Sequence, residues 1–103
     1  MFVNEMARKL CSEYVGGGYW NYYELNNGAW YMSLDDERMF HVVWADNDFE
    51  SEMSADAFSI TSCLLACHIM LNARSELFLP AYYLLREYAT EHAEKELILA
   101  VVD

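Results

Sequence analysis

The segment Asn26–Gly28 constrains the fold of this chain most, because it lies between two aromatic-rich runs. The runs are YWNYYEL at 19–25 and AWYMSL at 29–34. Asn-Gly between such runs is the strongest short-range indication of a β-hairpin. A two-residue turn at Asn27-Gly28 would pair Leu25 with Trp30, and two positions further along it would pair Tyr23 with Met32.

This register assigns the side chains of the hairpin to two faces, because successive residues of a strand point to opposite sides. One face carries Tyr19, Tyr23, Leu25, Trp30, Met32 and Leu34. The other face carries Trp20, Tyr22, Glu24, Tyr31 and Ser33. The second face is unusually aromatic for a solvent-exposed surface. It either lies under the N-terminal helix, or it leaves Trp20, Tyr22 and Tyr31 as an apolar patch that docks a protein.

The rest of the chain predicts one α+β domain. The run MFHVVWA at 39–45 is a third strand, which completes an antiparallel meander. Apolar periodicity and end signals predict about four helices around this three-stranded meander. Their expected ranges are 2–14, 54–72, 77–92 and 93–102. We expect the helix at 54–72 to pack across the hairpin face that carries Tyr23, Trp30 and Met32.

The charge of the chain restricts its partners. Six lysines and arginines against seventeen acids give a net charge of −11. Such a surface repels phosphate and anionic lipid, so we expect no direct binding to nucleic acid and no membrane contact. A basic protein surface, or a protein that normally holds DNA, is favoured. Three cysteines without a signal-peptide pattern predict reduced thiols and a cytoplasmic location.

Much of this charge lies in WADNDFESEMSADAF at 44–58, which holds five carboxylates and no base. The spacing of a calcium-binding EF-hand fails here, because the required Gly and Glu positions hold other residues. Ser54 is a good N-cap, and Asp56 suits the first turn of the following helix. Asp46, Asp48, Glu50 and Glu52 remain. They form either a solvated loop or a patch that docks a basic partner.

No other pattern indicates catalysis or a cofactor. The glycines at 16–18 follow a helix, whereas a phosphate-binding loop precedes one. Cys63 and Cys67 share one face of an apolar helix, which favours buried thiols over a zinc site. The three histidines fall in no motif for nucleophilic catalysis. We therefore expect no enzyme, no cofactor, no metal and no small-molecule substrate.

Three stretches are similar to segments of a known family. YVGGGYWNYYELNNGAWYM at 14–32, FESEMSADAFSI at 49–60 and YYLLREYATEHAEKELILAVVD at 82–103 resemble, in order, segments of the ArdB/KlcA antirestriction family. The chain departs from the family pattern at Ser59, Ala93 and Val102, where Gly, Pro and Ile are usual. Family members also carry several tens of residues before the first helix. We therefore expect residues 1–103 to be a single antirestriction-like domain without that N-terminal arm.

The resemblance implies an accessory protein of plasmids, phages or genomic islands that inhibits a host type I restriction enzyme while sparing methylation. Because a DNA mimic would also block methylation, this favours protein–protein interference with translocation or cleavage. DNA mimicry and a regulatory protein-binding module without antirestriction activity remain the alternatives. The expected partner-binding residues are those of the acidic stretch and the aromatic face: Asp46, Asp48, Glu50, Glu52, Trp20, Tyr22 and Tyr31.

Overall fold

The computed structural model describes residues 2–14, 16, 18–72 and 79–103. Its helices and strands follow the chain in the order α1 (Phe2–Leu10), β1 (Trp20–Glu24), β2 (Trp30–Leu34), β3 (Met39–Trp44), β4 (Phe49–Ser54), α2 (Ala55–Asn72), α3 (Leu79–Ala89) and α4 (Lys95–Val102). The predicted α+β class is confirmed. The start of the helix predicted at 77–92 lies outside the described residues.

The strands form two separate antiparallel hairpins, β1–β2 and β3–β4. The predicted three-stranded meander is therefore wrong in its pairing, because the third strand pairs with β4 and not with β2. β4 covers residues 49–54 of the acidic stretch at 44–58, for which a solvated loop was one of the two expectations. Phe49, Ser51 and Met53 face inward along β4, whereas Glu50 and Glu52 point to solvent.

The register of the first hairpin differs by one residue from the predicted one. Tyr23 pairs with Tyr31, and Tyr22 pairs with Met32. The turn has three residues and not two: the Gly28 N–H bonds the Leu25 carbonyl at 3.0 Å, and Gly28 has a φ of 91°. A type I turn followed by a left-handed glycine is the usual three-residue hairpin loop. The extra loop residue moves every side chain of one strand to the opposite face.

Helix α2 forms the centre of the core. Its side chains from Ala57 to Leu64 are buried on all sides of the helix, including Phe58, Ile60 and Leu64, which are inaccessible to solvent. Three buried hydroxyls of α2 are hydrogen-bonded within the helix. Each donates to the carbonyl four residues earlier: Ser59 to Ala55, Thr61 to Ala57 and Ser62 to Phe58. Cys63 and Cys67 are buried free thiols, as predicted.

Helix α2 packs along the edge of β2 and not across the predicted face. The Leu34 N–H donates to Ser59 Oγ at 2.8 Å, and Cys63 Sγ lies 3.6 Å from the Met32 carbonyl oxygen. These two side chains bond backbone groups that a further strand would otherwise occupy. In the predicted face, Tyr23 is 46% exposed and Trp30 is 37% exposed. That packing prediction is therefore wrong, because it followed from the shifted register.

In the described part of the chain, no helix combines the length and the apolar character needed to cross a membrane.

Candidate functional site

The carboxylate of Asp56 joins three parts of the molecule. It lies in the first turn of α2 and accepts hydrogen bonds from the Tyr31 hydroxyl at 2.7 Å and the Ser33 hydroxyl at 3.1 Å, both from β2. His92 Nε2, between α3 and α4, lies 2.8 Å from the other oxygen of Asp56. We call Asp56 and these three partners the Asp56 hub. It connects the first hairpin, the central helix and the C-terminal segment.

A second carboxylate completes the connection beside the hub. Glu94 accepts the backbone N–H of Ser54 at 2.9 Å, and it also accepts the Ser54 hydroxyl. The Ser54 oxygen in turn accepts the Ala57 N–H at 3.2 Å, which is the N-cap bond predicted from the sequence. Ser54 and Asp56 come from one stretch that resembles the family, and His92 and Glu94 come from another. The resemblance thus falls on residues that meet in space.

The geometry of His92 indicates a positioning role. The Glu94 N–H donates to His92 Nδ1 at 3.0 Å, so this nitrogen must act as the acceptor and Nε2 carries the hydrogen. Nε2 then donates to Asp56, and neither ring nitrogen is free to take a proton from a substrate. Burial and the neighbouring Asp56 carboxylate raise the pKa of Tyr31, so this phenol remains a neutral donor.

Sequence reasoning did not identify the hub. The sequence assigns Asp56 to the first turn of its helix, and it places His92, like the other two histidines, in no motif. The pattern His-Ala-Glu at 92–94 was the available signal, because two polar side chains two residues apart in a turn can reach one helix N-terminus. Its partner could not be found from spacing alone, since 36 residues separate Asp56 from His92.

The four predicted acids lie on the second hairpin and are all exposed. Asp46 lies in a 3-10 turn at the hairpin tip, and Asp48 adopts a left-handed φ of 50° at the end of that turn. Glu50 and Glu52 follow on the outer face of β4, where Glu50 lies 2.8 Å from His41 Nε2. The structure thus gathers these acids on one hairpin, which we call the acidic hairpin.

The predicted aromatic face is only partly formed. Tyr22 is 58% exposed and stacks on Trp30, with 5.9 Å between the ring centroids. Trp20 is half-buried and its indole N–H donates to the Tyr14 hydroxyl at 3.3 Å. Tyr31 is 5% exposed and belongs to the Asp56 hub. Its expected place on the exposed patch is therefore wrong, because the observed register turns it toward α2.

A groove of about 350 Å³ lies between the tip of the first hairpin and the end of α3. It is lined by Glu24, Leu25, Asn26, Asn27, Glu87, Tyr88 and Glu91. The Asn27 amide closes one end of the contact by donating to the Leu84 carbonyl at 3.0 Å. Among the residues that the structure describes, three carboxylates and no base line this groove, which would suit a cationic side chain.

Comparisons with known proteins agree with the family resemblance of the three segments. A family model described as "Antirestriction protein" matches residues 12–103. An antirestriction protein KlcA of Escherichia coli is 33% identical over 106 residues, which cover 98% of this chain and 74% of KlcA. An uncharacterized protein YfjX of Escherichia coli strain K12 is 35% identical over 102 residues, covering 92% of this chain. The chain spans 64% of the length of YfjX.

A solved structure has the same fold. It superposes with a TM-score of 0.90 at 31% identity and covers 99% of this chain and 75% of its own. This structure is described as showing that the KlcA and ArdB proteins have a novel fold. They are said to have antirestriction activity against type I DNA restriction systems in vivo but not in vitro.

Proposed function

Because the chain belongs to the antirestriction protein family, we propose that it inhibits a host type I restriction enzyme by protein–protein contact. Its acidic hairpin would dock on a basic surface of that complex and interfere with translocation or cleavage. The observation that carries this proposal is the gathering of Asp46, Asp48, Glu50 and Glu52, all exposed, on one hairpin. Exposed charges of this kind steer encounter with a partner of opposite charge.

The exposed stack of Tyr22 on Trp30 would supply apolar contact to such a complex. Desolvated aromatic side chains set the residence time of a complex, whereas exposed charges mainly tune its rate of formation. Trp20 would support this stack from its half-buried position on the same strand. The proposed contact thus has a charged part and an aromatic part, which lie on different hairpins.

DNA mimicry is the weaker alternative, for two reasons. The domain measures 32 × 27 × 26 Å, whereas a mimic needs carboxylates along an elongated surface. In addition, the KlcA and ArdB proteins are described as active in vivo but not in vitro. A mimic that occupies the DNA channel should also inhibit the purified enzyme, so this difference favours an interaction that depends on conditions in the cell.

The occupied nitrogens of His92 disfavour a role for this histidine as a general base. We propose that the protein acts in the cytoplasm, where a restriction enzyme meets incoming DNA, and that it requires no cofactor. Direct DNA binding is also disfavoured by the net charge of −11. A gel mobility shift at low salt, where electrostatic contacts are strongest, should leave duplex DNA unretarded. Retarded duplex would contradict this part of the proposal.

The plating efficiency of unmodified phage on a type I-restricting host tests the proposal. The variant D46N/D48N/E50Q/E52Q should lose most of the protection that the wild-type chain gives. The matched control E5Q/E13Q/E37Q/E96Q removes four other exposed acids, so its net charge changes equally. It should protect as the wild type does. Melting temperatures of both variants establish that any loss is not unfolding.

Three outcomes would overturn parts of this proposal. An equal loss of phage protection in both variants would show that the effect comes from net charge and not from the acidic hairpin. Undiminished protection by the hairpin variant would reduce the acidic hairpin to a solubilising surface. A wild-type chain that protects against no type I system would favour the second candidate, a regulatory protein-binding module of the same mobile element.

A further inference from the structure

We propose that the free edge of β1 is a second docking surface, which binds an extended, basic segment of a partner protein by strand addition. This inference goes beyond the proposed function, because it gives a role to the outward backbone groups of β1, whereas the proposed function uses only exposed side chains. It also holds whether or not the partner is a restriction enzyme.

The backbone geometry of β1 carries the proposal. The Asp35 N–H bonds the Tyr19 carbonyl at 2.7 Å, and the Leu25 N–H bonds the Ala29 carbonyl at 2.8 Å. In an antiparallel pair the hydrogen-bonded positions alternate, so the residues between these two rungs point their backbone groups alternately toward and away from β2. The N–H and C=O groups of Trp20, Tyr22 and Glu24 therefore point away from it.

The two outer edges of this hairpin differ in whether another element covers them. The outer edge of β2 is covered by α2, through Ser59 and Cys63. Within the described part of the chain, β1 pairs with β2 alone, and its outward backbone groups bond no other backbone group. An open strand edge is a template for another extended chain.

Side chains beside the edge offer apolar contact to an added strand. Tyr22 and Trp30 stack on one face of the hairpin, and Tyr23 stacks on Tyr31 on the other, with 5.6 Å between the ring centroids. Tyr22 and Tyr23 are both about half exposed, at 58% and 46%. A strand added to β1 would place alternate side chains next to each of these rings.

Charge decides which segment fits. Glu24 lies at the end of β1 and is exposed. The groove beyond it adds Glu87 and Glu91, and none of its described lining residues is a base. A lysine or arginine of an added strand would be attracted there. A second copy of this chain is the competing occupant. Each copy has a net charge of −11, so the acids of two copies would repel each other at the contact. The observations therefore favour a basic partner segment.

Titration with a short peptide of alternating valine and lysine, followed by amide chemical shifts in ¹⁵N spectra, tests the proposal. The shifts should concentrate at the amides of Trp20, Tyr22 and Glu24. Two control peptides separate the causes. N-methylation of every peptide nitrogen blocks strand addition through either edge of the peptide, and replacement of lysine by glutamate reverses the charge. Both controls should bind at least about tenfold more weakly, because each loses several backbone bonds or charge attractions and one such loss alone has up to about that effect.

A pair of variants isolates the backbone contribution. Y22P and Y22T both remove the aromatic ring, but only Y22P removes the outward N–H, and it spares the bonds to β2. Y22P should bind the peptide several-fold more weakly than Y22T. The variant E24Q/E87Q/E91Q should also bind more weakly than E5Q/E37Q/E96Q, which removes three exposed acids elsewhere. This second pair keeps the test decisive if Y22P does not fold.

Each alternative outcome would overturn the proposal. In the titration, these outcomes are chemical shift changes centred on the acidic hairpin, or absence of binding at millimolar peptide. In the controls, they are an N-methylated peptide that binds as tightly as the unmethylated one, or equal peptide affinity of E24Q/E87Q/E91Q and E5Q/E37Q/E96Q. Sedimentation that shows a dimer of the peptide-free chain, dissociated by Y22P, would assign the edge to a second copy instead. Loss of phage protection in the acidic-hairpin variant leaves all these measurements unaffected, so the two proposals fail separately.

Discussion

The two hairpins of this domain have the same topology but are fixed in opposite ways. The inner face of β1–β2 is polar at its centre, because Tyr31 and Ser33 donate to Asp56. The inner face of β3–β4 is apolar, with Phe40, Val42 and Met53 almost fully buried. Directional hydrogen bonds to Asp56 hold the centre of the first hairpin, whereas packing holds the centre of the second. Directional bonds fix the position of the strand, whereas packing tolerates polar variation on the outer face.

The hairpins do share one device at their tips. Asn27 donates its side-chain amide to the Leu84 carbonyl of α3 at 3.0 Å. Asn47 donates its own to the carbonyls of Ala100 and Val101, at 3.2 Å and 2.7 Å. These last two carbonyls lie in the final turn of α4, where the helix provides no N–H for them. Each hairpin is thus anchored to a different helix of the C-terminal part.

The largest expected effect is on the hydrogen-bonded hairpin. Asp56→Ala leaves Tyr31, Ser33 and His92 without their acceptor, and we expect it to lower the free energy of unfolding by about 2–3 kcal/mol. Urea denaturation measures this change. Asp46→Ala on the acidic hairpin is the control and should change stability by less than about 0.5 kcal/mol. Similar losses in both variants would show that the Asp56 hub does not hold the first hairpin.

High pH should weaken the same hairpin through Cys63. Burial raises the pKa of this thiol to about 12, from 9.0. A pKa that is higher in the folded state stabilises the fold below the unfolded value, and this contribution is lost as pH rises toward about 12. We therefore expect stability to fall above pH 9.0, by up to about 1.4 kcal/mol per pH unit.

Cys63→Ala is the control for this pH dependence. Urea denaturation between pH 8 and pH 10.5 (roughly the window set by these pKa values) should give a flatter profile for the variant than for the wild type. Parallel profiles would mean that the thiol remains un-ionised or is solvated when the chain is folded.

The contact between α2 and the edge of β2 comes next in size. Ser59→Ala removes the acceptor of the buried Leu34 N–H, and an unsatisfied donor of this kind costs about 1–2 kcal/mol. Ser51→Ala on β4 is the control, because its half-buried hydroxyl bonds only locally. Denaturant midpoints of the two variants should separate clearly. Coincident midpoints would indicate that water replaces Ser59 at the strand edge.

The two tip anchors should have smaller, local effects. Asn27→Ala and Asn47→Ala should each destabilise the domain by about 1 kcal/mol, which is the usual contribution of a net hydrogen bond. Hydrogen exchange distinguishes them. Loss of Asn27 should speed exchange in β1–β2 and α3, and loss of Asn47 should speed it in β3–β4 and α4. Exchange that rises uniformly over both hairpins would show that they open as one unit.

The smallest effect is expected on the outer face of the second hairpin. Glu50→Gln and Glu52→Gln should each change stability by less than about 0.5 kcal/mol, because exposed ion pairs contribute little. Thermal melts at low and high salt check this expectation. A loss comparable to that of Asp56→Ala would overturn the distinction between the two hairpins.

The same distinction explains how much the sequence could predict. The existence of the first hairpin and the position of α2 followed from local signals, namely Asn27-Gly28 and the N-cap Ser54. The register did not, because Asn-Gly suits both two-residue and three-residue loops. β4 was missed although Phe49, Ser51 and Met53 alternate with Glu50 and Glu52, since the density of acids indicated a loop. The four acids could be named in advance as an exposed group. The buried place of Tyr31 depended on the register, and the hub depended on distant residues.

The position of the hub has a consequence for the synthesis of this protein on the ribosome. Asp56 can bond His92 only after a further 36 residues of the chain have been synthesised. At about 5–20 residues per second, His92 emerges roughly two to seven seconds after Asp56. During that interval the apolar sides of α2 lack α3 and α4 as cover. A nascent chain at this stage presents the kind of apolar surface that chaperones bind, and the emergence of α3 and α4 would cover that surface.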